Sequence, residues 1–167
     1  MSTLDIITLC ANIALTLSFI IALIFGVAQV KAAERDRRER FTLDTLRRFH
    51  TREFAELIYY VSSTDMPSTT AEWRKRPEED RITFIQFTQE MESLGILVAQ
   101  QFVNMDLIDI TLGSFVVTSW EKFKALVVDL RVEVSDPFLC EYFQWLAEHV
   151  DQRMKLYPRK PYHETAK

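Results

Sequence analysis

Hydrophobic and polar positions follow two regimes along this chain. From Ile6 to Val30 there is no charged side chain, and fourteen of the twenty-five positions are Ile, Leu, Phe or Val. A helix rises 1.5 Å per residue, so this stretch reaches about 37 Å, more than the roughly 30 Å of a bilayer's hydrocarbon core. At about −0.3 to −0.6 kcal/mol each, the fourteen apolar side chains outweigh Asn12 and Gln29, and the pattern predicts a transmembrane helix. A cleaved signal peptide would need a basic leading region, a shorter apolar core and a small-residue cleavage site. No Lys or Arg precedes Lys31, so the expectation is an anchor retained in the mature chain.

After Lys31 the apolar residues recur at helical spacing. Between Val27 and Met66 there is neither Gly nor Pro, and Glu34 with Arg38, Arg35 with Glu39 and Asp36 with Arg40 are opposite charges four apart, predicting a helical stalk. A helix is expected to begin near Thr42 and to turn Leu43, Leu46, Phe49 or His50, Phe54, Leu57, Ile58 and Val61 to a core. The segment Ser62–Asp80, with two prolines and several Ser and Thr, reads as a loop with one helical turn around Trp73. That Trp, beside Arg74, Lys75 and Arg76, suits either a membrane interface or a lid over the core. A central helix is predicted from about Pro77 to Phe102, with Ile82, Ile85, Thr88 or Met91, Leu94 or Gly95, Leu97 or Val98 and Phe102 inward. Phe84 and Phe87 widen that face, and Gly95 reads as a close packing contact.

Beyond it the signals predict a short helix capped by Asn104 or Asp106 and stopped at Gly113, then a long one through Trp120, Phe123 and Val127 to Val134. The last helix is expected to open with Asp136 as cap and Pro137 in its first turn, placing Phe138, Cys140 or Tyr142, Trp145 or Leu146 and Val150 inside. No alternating strand pattern bounded by turns occurs. The fold class expected is all-α: one amino-terminal transmembrane helix followed by a cytoplasmic bundle of about four to five helices. The organisation is residues 1–30 as anchor, 31–41 as charged juxtamembrane stalk, 42–157 as bundle and 158–167 as polar tail.

Two features of the anchor bear on partners. Cys10, Ala14, Ser18, Ala22 and Gly26 form a stripe of small residues four apart, which would let a second membrane helix approach closely, whether another copy or a different subunit. Such ladders also occur without association. Lys31, Arg35, Arg37, Arg38 and Arg40 follow the span directly and nothing basic precedes it, so the positive-inside rule puts the carboxyl side in the cytoplasm and the amino terminus outside. The same residues face the headgroup region, where anionic lipids would attract Lys31, Arg35 and Arg38; pairing within a solvated stalk is the competing role. The expected location is the cell (inner) membrane, with the lipid bilayer itself as one partner.

Charge and chemistry narrow the picture mainly by exclusion. The chain carries 24 acids against 20 Lys and Arg, a net charge of −4, and Asp5 is the single charged side chain before Lys31. The remainder is therefore still acidic, which argues against a nucleic-acid partner. Cys10 and Cys140 fall in different environments, so no disulfide is expected. A di-metal bundle site would need Glu-x-x-His motifs; His50 and Glu53 stand in the reverse order, and Glu148 and His149 are adjacent and diverge. Gly26, Gly95 and Gly113 are isolated from one another, so no phosphate-binding loop exists. No catalytic residue, metal or cofactor is expected. Glu92 and Arg131, each beside an apolar helical face, are the expected partners of a structural ion pair that fixes helix register.

The stretches "MESLGILVAQQFVNMDLID", "DLR" at Asp129–Arg131 and "YFQWLAE" together resemble a family of small bacterial proteins known only as a domain of unknown function. The resemblance covers roughly residues 1–155 and implies one amino-terminal membrane helix joined to a cytoplasmic helical domain, with no activity attached. Where a Gly often ends the central helix in such sequences, Val103 and Asn104 stand here. The function expected is a non-catalytic, single-pass membrane-anchored interaction or accessory subunit of a membrane complex. The alternative is a self-associating, membrane-tethered signalling or effector protein whose helical domain binds a small ligand.

Overall fold

Backbone hydrogen-bond economy and helix caps account for where each element of the computed structural model begins and ends. Residues 3–158 and Glu164 are described; the expected tail falls outside the described residues except for Pro158 and Glu164. The elements are α1 (Thr3–Arg48), α2 (Arg52–Ser63), α3 (Thr70–Trp73), α4 (Glu78–Ala99), α5 (Met105–Glu133) and α6 (Glu141–Leu156). Among the described residues there is no strand, and the chain is all-α. It divides into two compact units, Met1–Arg40 and Phe41–Lys167.

The first correction concerns the expected helix over Thr42–Val61. No new helix starts at Thr42: that residue lies within α1, and the break comes at Phe49–Thr51. The last turn of α1 tightens as the Phe49 and His50 N–H groups donate to Leu46 O and Arg47 O, three residues back. Thr51, in extended backbone, then accepts the N–H of Phe54 with its hydroxyl and starts α2. A cap therefore makes this corner without Gly or Pro.

The second correction is α5, one helix of 29 residues that runs through Gly113. Asn104 caps it by accepting the N–H of Asp106 at 2.8 Å. Gly113 stays helical because its bare Cα faces α6: a Cβ there would stand 3.1 Å from Val150 Cγ1 and 2.8 Å from Asp109 Oδ1. Gly is thus a contact surface here and not a stop.

The third correction is the start of α6, which begins at Glu141 and not at Pro137. Asp136 spends its carboxylate on the N–H of Phe138 at 2.9 Å, closing a local turn. Cys140 then takes the left-handed conformation (φ 57°) immediately before the helix. Phe138 is consequently 67% exposed instead of facing inward.

α4 follows Pro77 with Glu78, Glu79 and Asp80 in its first turn, where acids favour the positive end of the helix dipole. It closes with Gln101 left-handed (φ 60°) and with the N–H groups of Phe102 and Val103 both on Leu97 O. The left-handed position where a helix end usually places Gly is therefore filled by Gln101, at a strain of about 1–2 kcal/mol. The inward face of α4 is Phe84, Phe87, Thr88, Met91, Leu94, Gly95 and Val98, while Ile82, Ile85 and Phe102 are exposed. Leu43 of α1 and Val134 after α5 are exposed as well, whereas Thr42 and Thr45, on either side of Leu43 in the sequence, are buried.

The core centres on Phe87, which is fully buried and meets Phe115, Phe123 and Phe143 edge to face at ring-centroid distances of 5.8, 5.3 and 5.9 Å. α5 and α6 run antiparallel: Trp120 meets Phe143 edge to face, Gly113 faces Val150, and Asp106 pairs with Arg153. Trp73 of α3 is buried against Phe84 at 4.6 Å, so it lids the core.

Candidate functional site

The first candidate lies in the unit Met1–Arg40. α1 contains the one helix segment among the described residues that is long and apolar enough to cross a membrane, and none of its most apolar window is buried. In lipid every polar group needs an internal partner. Thr8 and Thr16 meet that demand by donating their hydroxyls to Leu4 O at 2.9 Å and Asn12 O at 2.8 Å. Cys10, Ala14, Ser18, Ala22 and Gly26 are all exposed, and a Cβ on Gly26 would meet nothing within 4 Å. Among the described residues the small-residue face is therefore exposed.

Lys31, Arg35, Arg37, Arg38 and Arg40 continue the helix, all exposed. Arg35 donates to Glu39 at 2.9 Å, and that hydrogen bond, reinforced by the carboxylate's charge, raises its already high pKa. Arg35 is thus partly balanced within the helix, as its spacing suggests.

The second candidate is the polar apparatus around the start of α6. Glu92 and Arg131 come to the same corner, but they do not form the direct ion pair expected of them. Glu92 accepts the backbone N–H of Tyr142 at 3.1 Å and that of Phe143 at 2.8 Å, one with each oxygen. Arg131 donates to Leu139 O and to Gln144 Oε1, both at 2.8 Å. An acid on the open N–H groups of a helix start and a cation on the carbonyl of the preceding turn each satisfy the backbone, and together they fix where α6 begins. Gly95 completes the contact, since a Cβ on it would lie 2.6 Å from the Tyr142 carbonyl carbon.

A third polar contact escaped the sequence reading. Asp129 Oδ2 accepts the N–H of Thr70 at 2.6 Å and its hydroxyl at 2.7 Å, pinning the four-residue α3 to α5. These two bonds, the backbone one first, hold the Asp129 carboxyl below its ordinary pKa. Arg74 adds an ion pair with Glu133. In the sequence Asp129 appears only within the "DLR" stretch of the family resemblance, and by its spacing it looks like any solvated α5 acid.

Between α3, α4, α5 and the turn before α6 lies a pocket of about 280 Å³ whose walls include Trp73, Phe84, Ile85, Val127, Leu130 and Leu139. Thr88 on its lining donates its hydroxyl to Phe84 O and Ile85 O, so it is tied down. Cys140 reaches the same pocket, and burial, with the charge of Glu92 second, pushes its thiol up to about 11. A protonated thiol is a poor nucleophile. This arrangement suits an apolar group better than it suits chemistry.

The two histidines within the bundle bond locally: His50 Nδ1 lies 2.9 Å from Leu46 O, and His149 Nδ1 lies 2.8 Å from Trp145 O. Among the described residues no group of three or more His, Cys, Asp or Glu side chains converges as metal ligands would.

No curated protein and no solved structure matches the chain. One family profile does, over residues 16–150, from within the apolar stretch through the bundle and into α6. The chain belongs to the family described as a domain of unknown function, DUF4760.

Proposed function

We propose that this protein is a single-pass membrane-anchored interaction module, a non-catalytic accessory subunit of a membrane complex with its bundle on the cytoplasmic side. The observation that carries this reading is the exposed, charge-free stretch Ile6–Val30 followed at once by five basic residues and then by a bundle with its own core. Apolar side chains exposed over that length need lipid or another apolar partner. The basic flank supports the orientation with the amino terminus outside. The bare stripe from Cys10 to Gly26 supports packing against a second membrane helix.

Gentle detergent extraction from native membranes followed by mass spectrometry tests the partner. Co-purification of a distinct membrane protein, lost when Ala22 and Gly26 are both enlarged to Leu, is the expected result. Recovery of the chain alone, unchanged by that enlargement, would overturn the packing role of the stripe.

The apolar pocket beside Cys140 favours a second reading, a self-associating signalling or effector protein whose bundle binds a small ligand. The two readings differ in stoichiometry. Self-association through the stripe, with no distinct partner, would move the balance to the second.

A further inference from the structure

We draw no further inference here: the strongest candidate, the apolar pocket of about 280 Å³ beneath the turn that leads into α6, already belongs to the second reading above, and nothing in the structure shows what covers it.

Discussion

Glu92 Oε2 accepts the backbone N–H of Phe143 at 2.8 Å, so a side chain midway along α4 serves as the cap of α6, 51 residues away in sequence. Helix starts usually draw their cap from the residue just before the first turn. That residue here is Cys140, which makes no capping bond with its side chain. The carboxylate of Glu92 takes its place and joins two helices in one contact.

Glu92→Gln should destabilise the bundle by about 1–3 kcal/mol, because one acceptor oxygen is lost and an amide is turned toward a backbone donor. Urea unfolding followed by circular dichroism measures it. Unchanged stability would show that the two N–H groups do not depend on the carboxylate.

Gly95→Ala should destabilise the bundle by about 1–3 kcal/mol, since the added methyl meets the backbone of Tyr142, which cannot swing aside. Gly26→Ala should leave bundle melting unchanged, because its Cβ position is empty. Thermal melts of the two variants, measured side by side, separate a packing glycine from an open one.

Acid should release α3 before the rest of the bundle. The folded pKa of Asp129 is depressed by its bonds to Thr70, so the stability it contributes is present above the unfolded value of about 3.9 and disappears as pH falls through the lower folded value. Tryptophan emission, to which Trp73 contributes beside Trp120 and Trp145, reports the change as the difference between wild type and Asp129→Asn. Wild type should acquire the spectrum of the variant only in that acid window, and a transition near neutrality would assign the pin to another group.

Cys140 should resist alkylation near neutral pH in the folded protein and react once the bundle unfolds. Its thiol titrates at about 11 when folded, so its neutral form favours the folded state below the unfolded pKa of about 8.5, and that contribution is lost as pH rises toward 11. Maleimide labelling of a Cys10→Ala variant, with and without denaturant, checks this. Rapid labelling of the native form would mean that the turn before α6 opens readily.

The parts of this fold legible in the sequence are those with a local cause. The apolar stretch needs no tertiary partner to be recognised, and the helices α1 to α6 carry periodic apolar positions or a nearby cap. What stayed hidden depends on distant contacts. Gly113 looks like a stop until Val150 is seen against it, and Asp136–Pro137 looks like a helix start until Asp136 is found closing a turn on Phe138. Ile82 and Ile85 share the period of α4 with Phe84 and Phe87, and three surrounding aromatic rings select Phe87 as inward. Glu92 and Arg131 were identified as a matched pair of charges, but helix-end backbone groups were the stronger claim on each. The Thr70–Asp129 pin joins residues 59 apart, and no spacing rule could anticipate it.

The most direct measurement is protease protection of the full-length chain, with intact cells and inside-out membrane vesicles treated in parallel after an alkaline wash. Retention in the washed membranes, with the bundle cut only in the inside-out vesicles, is the expected result. Release by the wash, or digestion of the bundle from outside intact cells, would contradict a membrane-spanning α1 that holds the bundle in the cytoplasm.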